Sequence, residues 1–77
     1  MTKLKQTTIL IYLLAIHELS KIKKVKNTDL TNVLNINASS VSEMLEKLIL
    51  DGYLERESLT LTEKGQKVIS NFKRKLL

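Results

Sequence analysis

The chain has 77 residues, with no cysteine, no proline, no tryptophan and only two glycines. Without cysteine, disulfides, thiolate metal sites and cysteine nucleophiles are excluded, and this usage is typical of a reducing compartment. A membrane span needs ~20 apolar residues, whereas the longest apolar run extends only from Ile9 to Ile16. No small-residue cleavage site follows that run. The sequence therefore predicts a cytoplasmic protein without a membrane contact, folded as one domain over residues 1–77.

Catalytic chemistry has little support in the sequence. The chain contains a single histidine, His17, and no G-x-S-x-G nucleophile motif. His17 adjoins Glu18, but adjacent helical residues point about 100° apart and do not form a ligand pair. We therefore expect neither an enzyme nor a metal site, and no small-molecule ligand is evident.

The charge is positive overall and unevenly distributed. Thirteen Lys and Arg residues against eight Asp and Glu residues give a net charge of +5 and a pI near 9.6, which favours a polyanionic partner. Residues 1–26 and 64–77 each carry +5, whereas residues 27–63 carry −5. Two interpretations stay open: flanking lysines hold DNA phosphates, or the acidic middle segment is the contact surface of a protein-interaction module.

The first predicted helix, residues 1–21, has apolar residues on nearly every side. A helix of that kind must be covered on more than one face. Since so short a chain has little else to cover it, a second copy is the expected partner, and the last helix is expected to assist. The predicted dimer interface consists of Ile9, Tyr12, Leu13, Ile16, Phe72 and Leu76.

Residues 28–51 have the pattern of two short helices joined by a tight turn. Thr28 is a candidate N-cap for the first, and Asn37 for the second. Apolar residues recur at helical spacing after Asn37 until Gly52, which provides a C-terminal stop. This pattern predicts a helix-turn-helix, whose second helix enters the DNA major groove.

Two short β-like runs follow within residues 53–62, and Thr62 can cap a last helix over residues 63–77. The runs are close enough in sequence to require a tight hairpin. The predicted fold is mainly α with a small β-hairpin, in the order α-α-α-β-β-α, which is a winged helix-turn-helix.

Several motifs resemble one family. They are Ile11-Tyr12-Leu13-Leu14, Ser39-Ser40-Val41-Ser42, Asp51-Gly52-Tyr53-Leu54 and Leu61-Thr62-Glu63-Lys64-Gly65. Over roughly residues 6 to 70 the chain resembles the DNA-binding domain of the diphtheria-toxin-repressor family of iron- and manganese-dependent regulators. The final motif is shared with other winged-helix regulators.

The chain departs from that family at the metal site. The relatives have acidic ligands at the positions that Gln6 and Ile9 occupy here, and the sequence stops at Leu77, before their helical dimerisation domain. We therefore expect no metal cofactor. The predicted wing is also shorter, and its Glu57-Ser58 tip carries no positive charge.

The resemblance implies that the second helix of the pair contacts DNA. Hydroxyl groups bond phosphates or bases, and a glutamate accepts from cytosine N4. The predicted DNA contacts are Thr28, Asn37, Ser39, Ser40, Ser42, Glu43, Lys47 and Arg56, with Lys23, Lys24 and Lys26 on phosphates. Alternatively, Asn37 and the serines are only capping and solvent-facing residues, and the lysine run is a solvated face. The predicted function is sequence-specific binding of double-stranded DNA by a homodimeric transcription regulator.

Overall fold

A computed structural model describes residues 5–76 of the chain. These residues form four helices, α1 (Gln6–Ser20), α2 (Asn27–Leu34), α3 (Ala38–Leu50) and α4 (Glu63–Leu76). α2 packs against α3, and α1 contacts both α2 and α4. The predicted helical fold and helix order are confirmed. Residues 1–4 of the predicted first helix, and Leu77 of the last, lie outside the described residues.

The core is formed where the four helices meet. Its buried apolar side chains are Ile9, Tyr12, Leu13, Ile16, Val25, Leu30, Val41, Leu45, Leu48, Leu54 and Ile69. Each fully buried leucine or isoleucine contributes about 1.5–3 kcal/mol. The part of the chain that the structure describes has no buried polar or charged side chain, so apolar burial holds these helices together.

Four of the predicted dimer-interface residues are in this core. Ile9, Tyr12, Leu13 and Ile16 are between 0% and 9% exposed within a single chain, so they have no surface to offer a partner. The interface prediction is corrected at these positions. The pattern of α1 failed to identify its core face because apolar residues surround the helix on all sides.

The turn between α2 and α3 depends on two asparagines. Asn35 adopts a left-handed conformation with φ 55°, which asparagine tolerates better than most residues. Asn37 Oδ1 accepts a hydrogen bond of 2.8 Å from the Ser40 backbone N–H, as predicted for an N-cap. The other predicted cap is wrong, because α2 starts one residue before Thr28. There the Asp29 side chain accepts from the Lys26 N–H at 2.9 Å instead.

α3 ends in a Schellman turn at Gly52, where the sequence predicts a stop. The Tyr53 N–H donates to Leu48 O at 2.9 Å, and the Gly52 N–H donates to Ile49 O at 3.0 Å. These are the two bonds of that motif. Gly52 has φ 86°, a conformation in which a side chain would be strained.

The predicted hairpin wing is not formed as two strands. Over residues 5–76 the β-structure is a single antiparallel bridge between Leu54 and Leu61. Inside it, Glu55 N–H bonds Thr60 O at 2.9 Å, and the Leu59 N–H returns to Glu55 O at 3.0 Å. Leu59 has φ 51°. So few residues separate the bridged pair that turn bonds replace the ladder.

Thr62 precedes α4 and caps it as predicted. The Thr62 hydroxyl accepts from the Gly65 N–H at 3.2 Å and donates to Gly52 O at 2.5 Å. It therefore joins the start of α4 to the end of α3. Gly65 is buried there, and a Cβ at this position would lie 2.4 Å from Tyr53 O. Only glycine permits this approach of the two backbones.

Candidate nucleic-acid interface

The exposed surface of α3 starts at its N-terminus. Ser39, Ser42 and Glu43 are exposed and occupy i, i+3 and i+4, so they lie on one face of the helix. Ser40 and the capping Asn37 are exposed beside them. The opposite face buries Val41, Leu45 and Leu48 in the core. The structure thus brings together the predicted α3 contacts on one polar surface.

A hydrogen bond fixes this surface to α2. Asn27 Nδ2 donates to Ser42 Oγ at 2.6 Å. The Thr31 hydroxyl donates to Asn27 O at 3.1 Å and lies 3.3 Å from Asn27 Oδ1. Sequence reasoning missed Asn27, since the bond joins residues 15 positions apart and no local pattern signals it.

An ion pair joins the bridge segment, residues 54–61, to the same face of α3. Arg56 Nη1 and Nη2 lie 3.1 and 2.5 Å from the Glu46 carboxylate oxygens. The hydrogen bonds and charge of Arg56 lower the pKa of Glu46, and Glu46 in turn raises the pKa of Arg56. A predicted DNA contact, Arg56, is therefore engaged with an acid that the prediction did not include.

The lysine run between α1 and α2 also contains a residue that is paired with an acid. Lys23 Nζ lies 2.8 Å from Asp29 Oδ1, and this hydrogen bond, with the one from the Lys26 N–H, holds the pKa of Asp29 below its ordinary value. None of the ion pairs between described residues involves Lys24, Lys26 or Lys47. These three exposed side chains retain uncompensated positive charge.

The remaining predicted sites are Thr28, Phe72 and Leu76. Thr28 is exposed in the first turn of α2. Phe72 is half-buried, whereas Leu76 is 69% exposed near the end of α4.

An open apolar groove lies beside α1, away from its core face. Its lining comprises Leu14, Ala15, Glu18, Leu19, Lys21, Ile22 and Val33. Ile22 is 80% exposed and Val33 is 56% exposed. Sequence reasoning assigned neither to an interface, although Ile22 interrupts the lysine run as an isolated apolar residue.

The residues at the family's metal-ligand positions do not offer a carboxylate. Gln6 is exposed on the first turn of α1, and Ile9 packs in the core. Across residues 5–76, no three His, Cys, Asp or Glu side chains are grouped closely enough to hold a metal ion. No helix of this same stretch is both long and apolar enough to span a bilayer.

Comparison with known proteins identifies the domain. The sequence model for "Iron dependent repressor, N-terminal DNA binding domain" matches residues 6–60, from the start of α1 to the bridge segment. No curated protein and no solved structure gives a significant match. The matched family is a DNA-binding repressor domain rather than an enzyme family. The chain therefore belongs to the iron-dependent repressor family through its N-terminal DNA-binding domain, and its function is DNA binding in transcription regulation.

Proposed function

We propose that the protein binds double-stranded DNA sequence-specifically, with α3 in the major groove, and acts as a homodimeric transcription regulator. The observation that carries this proposal is the polar surface of α3. Its hydroxyl groups and the Glu43 carboxylate are exposed on the helix that follows the helix-turn-helix turn. Side chains at the N-terminal end of such a helix contact base edges.

Affinity must come largely from charges beside α3, because its first turns carry no basic residue. Lys24 and Lys26 precede α2, and Lys47 follows on α3 itself. Phosphate contacts of this kind position a protein on the duplex without reading sequence. Each neutralised phosphate releases counterions and makes the binding dependent on salt.

Arg56 and Glu46 supply a second electrostatic element. As long as Arg56 pairs with Glu46, the negative charge of Glu46 on the α3 surface is compensated. A DNA phosphate would compete with Glu46 for the same guanidinium, since guanidinium groups bind both anions in a bidentate manner. While it is intact, the pair lowers the repulsion between the acidic α3 surface and DNA.

The apolar groove beside α1 supports the homodimer. Glu18 and Lys21 are among its lining residues, and Lys21 Nζ lies 3.0 Å from Glu18 Oε2. In a two-fold interface each residue meets the symmetry-related surface of the other chain, so an acid and a base on one surface are complementary to a second copy. On α2, Val33 points about 120° away from Asn27, the residue bonded to α3. A partner on the groove would leave α3 accessible.

Salt titration of DNA binding tests the phosphate contacts. Labelled duplex DNA is titrated with wild type and with a Lys24→Ala/Lys26→Ala variant, at several salt concentrations. If each lysine contacts one phosphate, the slope of log K against log salt decreases by about 1.8 in magnitude, from ~0.9 per contact. A charge-matched control, Lys67→Ala/Lys75→Ala on exposed positions of α4, should keep the wild-type slope.

A Ser39→Ala/Ser42→Ala variant tests the base contacts. It should reduce discrimination between a selected duplex and random DNA, by about 1–3 kcal/mol for a lost base-specific interaction. Unchanged affinity and preference in both variants would overturn the proposal. Binding of a protein partner that is lost on amide substitution at Glu43, Glu55 and Glu57 would then favour an interaction module using the acidic segment.

A further inference from the structure

We infer that Asn27 fixes the hydrogen-bond polarity of Ser42, so that the Ser42 hydroxyl donates to an acceptor on DNA. This inference rests on the proposed function and extends it to the chemistry of one DNA contact. Asn27 would act as a positioning residue on α2, and Ser42 as the contacting residue on α3.

The polarity follows from the chemistry of the two side chains. The Asn27 Nδ2 group, 2.6 Å from Ser42 Oγ, has only protons to offer. A serine hydroxyl has one proton and two lone pairs. The Asn27 bond occupies one lone pair, so Ser42 must direct its proton elsewhere.

A contact within α2 supports the amide orientation of Asn27. The Thr31 hydroxyl shares its one proton between Asn27 O at 3.1 Å and Asn27 Oδ1 at 3.3 Å, which favours the orientation with the carbonyl end of the amide toward Thr31 and the NH₂ end toward α3. Asn27 is half-buried, whereas Ser42 is exposed. The donor is thus supported from within the domain while the acceptor faces outward.

No hydrogen bond among the described residues uses the Ser42 proton. Serine in a helix often donates to the carbonyl four residues earlier, which for Ser42 would be Ala38. Among the hydrogen bonds of residues 5–76, Ser42 takes part as the acceptor of the Asn27 bond and in no bond as donor. Its proton is therefore available at the α3 surface.

Docking on DNA would then select an acceptor opposite Ser42. If Ser42 instead accepted from cytosine N4 or adenine N6, its own proton would be left unsatisfied in a dehydrated interface, which disfavours that pairing. The matching groups are guanine N7 and O6, adenine N7, thymine O4 and phosphate oxygens. All share one chemistry, that of a hydrogen-bond acceptor.

The test starts from a duplex selected by the wild-type protein out of a randomised pool. The selected duplex is remade with single groups removed: 7-deazapurines for N7, 2-aminopurine for guanine O6, 5-methyl-2-pyrimidinone for thymine O4, and methylphosphonates for phosphate oxygens. For each replacement, the Kd for the modified duplex divided by the Kd for the unmodified duplex gives a loss factor. One replacement should give wild type a loss factor of about fivefold to tenfold, as for one hydrogen bond, and Ser42→Ala a factor near one.

Asn27 variants then test the polarity. Asn27→Asp presents only an acceptor, which draws the Ser42 proton inward, so its loss factor at the same group should also fall to near one. Asn32→Asp, at an exposed α2 position, adds the same charge and should retain the wild-type factor. If the aspartate variant does not fold, Asn27→Ala takes its place. This variant leaves the Ser42 proton without a fixed direction and should give an intermediate loss factor.

The outcomes distinguish failure of the proposed function from failure of the inference about Ser42. If no duplex is enriched by the wild-type protein, the proposed function fails. If DNA binds specifically but Asn27→Asp and Asn27→Ala keep the wild-type loss factor, or no replacement distinguishes wild type from Ser42→Ala, the inference alone is overturned. Whether the sensitive group is on a base or is a phosphate identifies the acceptor.

Discussion

Replacement of Gly65 by alanine tests how tightly α4 is packed on the segment that follows α3. The new Cβ would lie 2.4 Å from Tyr53 O and 3.2 Å from Leu61 Cγ. The first of these atoms is backbone, so the two segments must separate by at least about 0.6 Å to reach a tolerated 3.0 Å contact. That movement would also disturb the 3.0 Å bond from the Thr62 N–H to Tyr53 O.

The expected change in the free energy of unfolding is the difference between two opposing effects. Overpacking of a close-packed site costs about 1–3 kcal/mol, and the rigid backbone neighbour places Gly65→Ala toward the upper end. Alanine inside a helix recovers about 1 kcal/mol relative to glycine. The net destabilisation is therefore about 1–2 kcal/mol, which for a domain of this size lowers Tm by roughly 4–16 °C.

Thermal unfolding followed by circular dichroism measures this effect. Gln66→Ala, at the next and exposed position of α4, serves as the matched control and should leave Tm nearly unchanged. A Tm for Gly65→Ala equal to or above that of wild type would refute the close approach of α4 to Tyr53.

Three further perturbations address the caps, the ion pairs and the dimer. Because the hydrogen bond from Lys23 lowers the folded-state pKa of Asp29, its stabilisation is complete above the ordinary pKa of ~3.9 and is lost as pH falls through the lower folded value. Asp29→Asn should therefore lower Tm at neutral pH and reduce the loss of Tm between neutral and acid pH; identical pH profiles would contradict this. Thr62→Ala should cost about 1 kcal/mol through the lost cap, whereas Thr62→Ser should keep the stability in urea unfolding. Ile22→Ser/Val33→Ser should convert a dimer to a monomer in sedimentation without loss of helicity, and a wild-type monomer at micromolar concentration would exclude the groove as the interface.

The helix-turn-helix was predictable because its signals are local. The apolar spacing of α3, the Asn37 cap and the Gly52 stop each depend on residues within a few positions of one another, so the sequence contains them directly. The N-cap of α2 lies two residues before the predicted Thr28. Thr28 and Lys26 both precede Asp29, and only the observed bond from the Lys26 N–H to Asp29 distinguishes them.

The wing and the core face of α1 were less accessible to sequence reasoning. Residues 53–62 have the composition of strands, but the turn bonds around Leu59 leave room for only one bridge. In α1 a uniformly apolar surface gives no periodicity from which to choose the buried side. Tertiary packing decides both, and it directs Leu13 and Ile16 inward while leaving Ile22 exposed.

The exposed surface of the candidate site was predictable from the sequence, but the hydrogen bond and the ion pair that link it to other elements were not. Ser39, Ser42 and Glu43 are brought together by helical spacing alone. The contacts of Asn27 with Ser42 and of Arg56 with Glu46 cross 15 and 10 residues respectively, and their formation depends on how the elements pack. Under the proposed function, those contacts would determine which polar groups remain available to DNA.

The central claim is that α3 reads DNA sequence. Competition binding at about 0.15 M salt, between a duplex selected from a random pool and a scrambled duplex of equal composition, measures it directly. We predict that the selected duplex binds tighter by on the order of 10³ and that Ser39→Ala/Ser42→Ala reduces this ratio. Equal affinity of the wild-type protein for both duplexes would contradict the account.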